Sequence, residues 1–200
     1  MIKNIVIDFG GVLVGLKKEY CVAEYHALNM DVIGQYINDY RSEDLFNDLE
    51  LGKIDIHEFC EEARKQSGVN AADEQIKHAW LVLLTGVPQK KLDKILELRK
   101  HYRILLLSNT NAFHWEYSVE HYFKDLSLYF EKVYLSYELG MTKPERKMFE
   151  FMLQDAGIKA EETLFLDDSA TNCKAAEELG IHTWHIGENE DWTQRNFENL

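Results

Sequence analysis

The chain has 200 residues, 46% of them hydrophobic, so it can bury one substantial core with a small accessory module. Its formal net charge of -13 argues against a nucleic-acid partner, because phosphate backbones are bound by clustered Lys and Arg. The apolar N-terminal stretch contains Asp8 and is too short to span a bilayer, so we expect a buried strand there and no membrane association.

The cysteines and histidines indicate neither a zinc site nor a redox site. Three cysteines lie far apart and form none of the close pairs that are typical of zinc or redox motifs. Reduced thiols in a cytoplasmic protein fit this pattern best. The eight histidines contain no HExxH motif, so we do not expect a histidine metal site.

Short runs rich in branched apolar residues predict the strands of one sheet, and each run ends in polar residues. We predict strands at Ile2–Ile7, Arg103–Leu107, Lys132–Leu135, Thr163–Leu166 and Thr183–Ile186. Between the later strands, helical spacing occurs at Gln89–Lys100, Trp115–Tyr122, Lys147–Ala156 and Thr171–Leu179, the last closed by Gly180 as its C-cap. Because strands and helices alternate, the sequence predicts an α/β fold with a parallel sheet.

The stretch from about Leu16 to Thr85 contains several helical patterns and no convincing strand. We predict a small α-helical domain at residues 16–86, inserted after the first strand of a core domain formed by residues 1–15 and 87–200. One of its helices begins near Asp55, where Asp55-Ile56-His57-Glu58 resembles a capping box.

Acidic and polar side chains follow three of the predicted strands. Asp8 follows the first strand, Ser108 and Asn109 follow the second, and Asp167 and Asp168 follow the fourth. In parallel sheets the ligand crevice lies beyond the carboxyl ends of the strands. We therefore expect these residues to form one site.

Asp8 precedes Gly10 and Gly11, so its carboxylate projects into a loop whose backbone N–H groups can approach an anion closely. This arrangement suits a nucleophile that attacks phosphorus. The alternative is an Asp that only starts a turn, which is common at strand ends. Ser108 and Asn109 also have two interpretations: they hold phosphate oxygens, or they cap the next helix.

Lys143-Pro144 precedes a predicted helix, where Pro fits the first turn and gives the Lys a defined place. A fixed ammonium would neutralise both the nucleophile and a transferred phosphoryl group; the alternative is one more solvated lysine. Asp167 and Asp168 place two like charges side by side, which a hard cation offsets. We expect one or both to bind Mg²⁺, with Asp168 in direct contact; capping of the next helix is the alternative. The order of these groups along the chain predicts a phosphoryl-transfer site.

These residues resemble the four ordered motifs of the haloacid dehalogenase-like hydrolase superfamily. The matching segments span nearly the whole chain and are Asp8-Phe9-Gly10-Gly11-Val12-Leu13, Leu107-Ser108-Asn109-Thr110, Lys143-Pro144 and Asp167-Asp168. The helical insert resembles the small cap of subfamily I, and Leu51-Gly52-Lys53-Ile54 resembles a recurring cap segment. The resemblance implies a Rossmann-like three-layer core and a Mg²⁺-dependent phosphatase.

A narrower resemblance is to the bacterial alpha-D-glucose-1-phosphate phosphatase branch. It rests on Ser108-Asn109-Thr110-Asn111, Tyr134-Leu135-Ser136 and Leu139-Gly140-Met141-Thr142-Lys143-Pro144-Glu145. It implies hydrolysis of a small phosphorylated metabolite, such as a hexose 1-phosphate, through an aspartyl-phosphate intermediate. We expect a monomer or a homodimer.

Carried over by position, the resemblance gives each candidate residue a role. Asp8 becomes the nucleophile and Lys143 the charge clamp. The implied ligands of Mg²⁺ are Asp8, the Gly10 carbonyl, Asp168 and Asp167. The implied phosphate-binding residues are Ser108, Asn109, Lys143 and Gly11.

Gly10 departs from the usual pattern, because most phosphatases of the superfamily have a second Asp at this position. That Asp protonates the leaving group and then activates water, and such general acid–base help is typically worth about 10²–10⁴-fold in rate. The glucose-1-phosphatase branch resembles this chain in having Gly here, and an anomeric hydroxyl needs less protonation than an ordinary alcohol. His114 and a cap residue such as Glu19 are the candidate substitutes.

Three functions therefore compete: a phosphatase, a phosphate-binding or regulatory module without turnover, and a haloacid dehalogenase that attacks carbon without Mg²⁺. The retained Asp8, Lys143 and Asp168 argue against the binding module. The paired acids argue against the dehalogenase, because carboxylates beside the nucleophile are costly without a cation. We predict the phosphatase.

Overall fold

The computed structural model describes residues 1–38, 44–188 and 190–197. Its strands are β1 (Asn4–Ile7), β2 (Arg103–Ser108), β3 (Lys132–Leu135), β4 (Thr163–Asp167) and β5 (His182–His185). They form one parallel sheet in the order β3-β2-β1-β4-β5. The predicted α/β fold with a parallel sheet is confirmed, and no strand end differs from the predicted one by more than two residues.

Helices flank the sheet and fill the region between β1 and β2. They are α1 (Lys18–Ala27), α2 (Asp31–Asn38), α3 (Leu45–Glu50), α4 (Ile56–Ser67), α5 (Asp73–Leu81), α6 (Gln89–Leu98), α7 (Ala112–Tyr122), α8 (Ser136–Leu139), α9 (Arg146–Ala156) and α10 (Ala170–Glu177). Within the described ranges, no helix is long and apolar enough to cross a membrane. Gly180 closes the end of α10, as predicted: it has a φ of 85°, its N–H donates to Glu177 O at 2.8 Å, and the Ile181 N–H donates to Ala176 O at 3.2 Å. The last regular helical residue is Glu177, three residues before this glycine.

Pro144 was predicted in the first turn of a helix, and this is wrong. Helix α9 starts later, with Glu145 as its N-cap. A turn precedes it, in which the Glu145 N–H donates to Thr142 O at 2.9 Å and the Glu145 carboxylate accepts from the Thr142 N–H at 3.1 Å. This turn contains Lys143 and so helps to fix its place.

The sheet is buried on both faces. Ile5 and Ile7 belong to one hydrophobic cluster, whereas Val6, Leu105 and Phe165 belong to another. Side chains alternate between the faces of a strand, so burial on both faces makes the strand sequences almost continuously apolar. The carboxyl ends of the strands are where polar side chains are placed.

Helices α1–α5, which we call the cap helices, enclose a hydrophobic cluster of their own that includes Tyr25 and Phe59. Two adjacent chain segments connect them to the sheet. The Gly15 N–H donates to Gly86 O at 3.0 Å, and the Thr85 N–H donates to Gly15 O at 2.9 Å. The cap helices are thus joined to the rest of the protein at a narrow neck close to β1.

The capping box predicted at the start of α4 is confirmed. The Asp55 carboxylate accepts from the N–H groups of His57 and Glu58 at 2.8 Å, and the Glu58 carboxylate accepts from the Asp55 N–H at 2.9 Å. These bonds satisfy N–H groups that the helix itself leaves unpaired.

We expect Asp55→Ala to lower the free energy of unfolding by about 1 kcal/mol, because it removes the side-chain cap. Urea denaturation followed by circular dichroism measures this change. Glu61→Ala, at an exposed position of the same helix, is the control and should stay within about 0.5 kcal/mol of the wild type. An Asp55→Ala protein as stable as the control would contradict the capping interaction.

Candidate active site

A buried lysine joins the carboxyl ends of two neighbouring strands. The Lys143 ammonium lies 2.7 Å from Asp8 Oδ1, just after β1, and 2.6 Å from Asp167 Oδ2, at the end of β4. The lysine side chain is 1% exposed. Parallel pairing of β1 with β4 places the two acids side by side. The structure therefore brings together three residues that the sequence predicted for one site.

Asp167 has hydrogen-bond donors on both of its oxygens. Oδ2 accepts from Lys143 at 2.6 Å, and Oδ1 accepts from the Ser169 N–H at 2.8 Å and from Asn172 Nδ2 at 3.0 Å. A buried carboxylate needs such partners, and here they fix how Asp167 meets the lysine. Asp168 is exposed, and no other described side chain donates to its carboxylate. The residue that caps α10 is Ser169, so capping does not explain Asp168.

The loop after β2 holds the main chain of Lys143. Asn109 Nδ2 donates to Lys143 O at 2.8 Å, and Asn109 Oδ1 accepts from the Lys143 N–H at 2.8 Å. Ser108 is buried at the end of β2. Helix α7 is capped by Asn111, whose side chain accepts from the His114 N–H. Ser108 and Asn109 are therefore not the caps of the next helix.

The site carries more negative than positive charge. The carboxylates of Asp8, Asp167 and Asp168 have oxygens within 4.8 Å of one another, and when all three are ionised they exceed the single positive charge of Lys143 by two. Burial raises the pKa of Asp8 to about 8; Lys143 lowers it, while Asp167 and Asp168 raise it. Burial acts to lower the pKa of Lys143, but the charges of Asp8 and Asp167 raise it above its usual value. Clustered carboxylate oxygens are the ligands of hard divalent cations, so these residues fit Mg²⁺.

Gly11 makes room for one of these acids. It has a φ of 74°, and a Cβ at this position would overlap Asp168 Oδ2. The Gly11 N–H donates to Val14 O at 2.9 Å. This bond uses the N–H that the sequence predicted for a phosphate, so Gly11 closes the turn and admits the Asp168 carboxylate instead.

The two candidate substitutes for the missing acid differ in their surroundings. His114 is buried, stacks on Trp80, and donates from Nε2 to Trp80 O at 3.2 Å. Burial lowers the pKa of His114 to about 3, so the ring is neutral at physiological pH and the prediction of a proton donor is wrong. His114 instead ties α7 to the cap helix α5. Glu19 is exposed, lies 3.5 Å from Lys17, and lines a cavity of about 760 Å³ that reaches Asp168.

Two residues near the site were not predicted. Glu50, at the end of the cap helix α3, is close enough to Lys143 for the two charges to interact. Its signal in the sequence is its place directly before Leu51-Gly52-Lys53-Ile54. Asn172 lies in the first turn of α10 and donates to Asp167. Its signal is its place in the helix that follows the paired acids.

Comparison with known proteins agrees with this geometry. Residues 2–180 match the haloacid dehalogenase-like (HAD) hydrolase family. D-ribitol-5-phosphate phosphatase from Bacteroides thetaiotaomicron is 39% identical over 97% of this chain and 96% of its own length. A crystal structure of a HAD family enzyme from Bacteroides thetaiotaomicron, in complex with magnesium and inorganic phosphate, is 41% identical with a TM-score of 0.90, and the match covers 96% of this chain and 98% of that one.

Two further structures show how far the fold extends. A HAD-like family hydrolase from Porphyromonas gingivalis is 36% identical with a TM-score of 0.87, over 96% of this chain and 94% of that one. An L-2-haloacid dehalogenase has a TM-score of 0.67, over 100% of this chain and 92% of that one, but is only 15% identical. The last likeness concerns the fold alone.

We expect Gly11→Ala to destabilise the protein more than Gly10→Ala. A Cβ at a left-handed φ costs roughly 1–2 kcal/mol, and overlap with Asp168 adds to this. Gly10 has no such φ, and a Cβ there would meet the end of the flexible Leu16 side chain at 3.1 Å. Urea denaturation without divalent cations measures both variants. Equal losses would contradict the close approach of Asp168 to Gly11.

Proposed function

The chain belongs to the haloacid dehalogenase-like hydrolase family, and we propose that it is a Mg²⁺-dependent phosphatase for a small sugar phosphate or sugar-alcohol phosphate. The observation that carries the proposal is the Lys143 ammonium between Asp8 and Asp167, with Asp168 beside them. The ribitol-5-phosphate phosphatase and the structure with magnesium and phosphate support it. An acidic nucleophile, a fixed cation and metal-binding carboxylates are parts from which phosphoryl-transfer sites are built.

Asp8 is the proposed nucleophile. Its carboxylate attacks phosphorus as the bond to the leaving oxygen breaks, which gives an aspartyl-phosphate; water then attacks phosphorus and releases phosphate. Lys143 stays charged, because its pKa is raised, and it stabilises negative charge on the phosphoryl oxygens. Ser108 and the backbone N–H of Asn109 are proposed to bind these oxygens from the β2 side.

Mg²⁺ would be held by Asp8, Asp168 and the carbonyl of Gly10. Asp167 would instead hold the lysine, because both of its oxygens already accept hydrogen bonds. When bound, Mg²⁺ supplies positive charge that stabilises the phosphoryl oxygens and offsets the two excess negative charges of the site.

The organic part of the substrate is proposed to occupy the cavity of about 760 Å³ beside Asp168. Lys18 and Glu19 of α1 and Lys90 of α6 contribute to its polar wall. Such a wall suits a substrate rich in hydroxyl groups. The sequence resemblance favours a hexose 1-phosphate, whereas the relative acts on ribitol 5-phosphate. These substrates differ in the leaving group, which is an anomeric hydroxyl in the first and an ordinary primary alcohol in the second.

We expect the wild type with Mg²⁺ to hydrolyse p-nitrophenyl phosphate and at least one member of a panel of hexose 1-phosphates and pentitol 5-phosphates. Asp8→Asn should lose about 10⁴-fold or more in kcat, because an amide cannot form the aspartyl-phosphate. Removal of Mg²⁺ with EDTA should abolish turnover, and added Mg²⁺ should restore it. Released phosphate is the measurement.

Each competing function has its own outcome in this assay. Turnover that survives Asp8→Asn would overturn the mechanism. Dehalogenation of a haloacid without metal would favour the dehalogenase. Tight binding of inorganic phosphate by a protein that hydrolyses none of the esters would favour a binding module, the function that Gly10 supports.

The two neighbouring acids should respond differently to loss of their charge. We expect Asp168→Asn to weaken Mg²⁺ binding by roughly 10–100-fold or more. Asp167→Asn should retain most of the affinity but lower kcat, because Lys143 loses one of its two carboxylates. Titration calorimetry and the Mg²⁺ dependence of kcat measure both effects. An equal loss of affinity in the two variants would contradict the division of roles.

A further inference from the structure

We propose that Glu50, at the end of the cap helix α3, transfers the proton to the leaving group and takes it back from water, in place of the side chain that Gly10 lacks. This inference rests on the proposed phosphatase function. It is carried by the contact between cap and core at this residue, by the nearby charge of Lys143, and by the lack of a partner for the Glu50 carboxylate within the described part of the chain.

The cap helices touch the core directly beside Glu50. Gly52 has a φ of 65° and lies so close to the Tyr137 carbonyl that a Cβ there would overlap it. The Ser136 hydroxyl donates to Glu50 O at 2.6 Å and accepts from the Thr110 N–H at 2.9 Å. Thr110 lies in the loop after β2. These contacts hold the Glu50 backbone at the edge of the sheet that carries the candidate active site.

The Glu50 carboxylate is near enough to Lys143 for their charges to interact, and it is partly exposed. Glu50 is half-buried, and no side chain in residues 1–37, 44–188 and 190–197 hydrogen-bonds or pairs with its carboxylate. The positive charge of Lys143, whose ammonium lies 2.7 Å from Asp8, acts to lower the pKa of Glu50. Polar groups removed from water normally have a partner, and the leaving oxygen of a bound substrate would supply one.

The surroundings of Glu50 suit proton transfer. Burial raises the pKa of Glu50 to about 7; the charge of Asp44, at the start of α3, raises it as well, and Lys143 lowers it. A group that titrates near the working pH is present in both the acid and the base form. It can therefore act as the acid in one step and as the base in the next.

Other titratable groups near the site are less suited to this task. His114 is neutral and donates to Trp80 O. Asp167 has both oxygens occupied. Glu19, which lines the substrate cavity, is the rival that an experiment must separate from Glu50.

Glu50 gives up one proton in the first step and regains one in the second. In the first, an Asp8 oxygen bonds to phosphorus, the bond from phosphorus to the leaving oxygen breaks, and that oxygen takes the proton of the Glu50 carboxyl group. In the second, the Glu50 carboxylate takes a proton from water as the water oxygen bonds to phosphorus and the bond to Asp8 breaks. Alcohol and phosphate are released, and Glu50 is protonated again.

The test compares the first turnover of two substrates with different leaving groups. In rapid-quench experiments with Mg²⁺, p-nitrophenyl phosphate releases an anion that needs no proton, whereas a pentitol 5-phosphate releases an ordinary alkoxide. We expect Glu50→Gln to slow the first turnover of the pentitol ester by about 10²–10⁴-fold and that of p-nitrophenyl phosphate by less than about tenfold. A burst of p-nitrophenolate should then precede a slow steady state, because hydrolysis of the aspartyl-phosphate also lacks its base.

Two matched variants accompany Glu50→Gln. Asp48→Asn removes an exposed carboxylate from the same helix, one that lies 2.8 Å from Lys53, and should leave both first turnovers unchanged. Glu19→Gln tests the rival. In the Glu50→Gln background, Gly10→Asp should recover turnover of the pentitol ester, because it supplies a carboxyl group two residues after the nucleophile. The new Cβ would meet only the end of the flexible Leu16 side chain.

The outcomes separate this inference from the proposed function. A wild type that hydrolyses neither ester would overturn both. An active wild type whose Glu50→Gln variant loses both first turnovers equally would overturn the inference alone, since that is the effect of a structural role. A loss confined to the pentitol ester in Glu19→Gln would assign the proton to Glu19. Thermal unfolding of each variant confirms that the fold is retained.

Discussion

The ammonium group of Lys143 lies between the carboxylates of Asp8 and Asp167, with almost no access to water. An ion in such a place costs several kcal/mol unless its partners are fixed in good geometry. The sheet supplies that geometry, because β1 and β4 are neighbours and their carboxyl ends carry the two acids. Asn109 holds the lysine main chain, and Asn172 holds Asp167. The excess negative charge that remains makes the same arrangement a site for a divalent cation.

The strands and the acids could be predicted because their signals are local in the sequence. A strand buried on both faces is continuously apolar, and an acid that directly follows it has few structural reasons to be there. Two of the features that the sequence did not predict depend on contacts between distant segments. The neutrality of His114 comes from burial against Trp80, and the need for glycine at position 11 comes from Asp168. The place of Pro144 depends on a turn closed by a side chain, which the rule of proline in the first turn does not include.

Glu50 could not be predicted from the sequence for the same reason, because its important neighbours are distant along the chain. Its backbone is bonded to Ser136, 86 residues away in the sequence, and its charge is influenced by Lys143. No pattern around Glu50 shows either neighbour. The only local sign is the segment that follows it, whose Gly52 permits the approach of Tyr137. The motif residues of the core could therefore be found one by one, whereas a cap residue becomes a candidate only when the fold brings the cap to the core.

The place of the proton donor has a consequence for specificity. A side chain at position 10 would belong to the core, and it would be in place whether or not the cap helices were docked. With Glu50 as the donor, proton transfer requires the contact of Gly52 with Tyr137 and the bond of Ser136 to Glu50. The cap would then both contact the organic part of the substrate and complete the catalytic groups, so a substrate that fits poorly loses rate as well as affinity. Replacing the core acid by Gly10 thus makes the chemistry depend on the segment that selects the substrate.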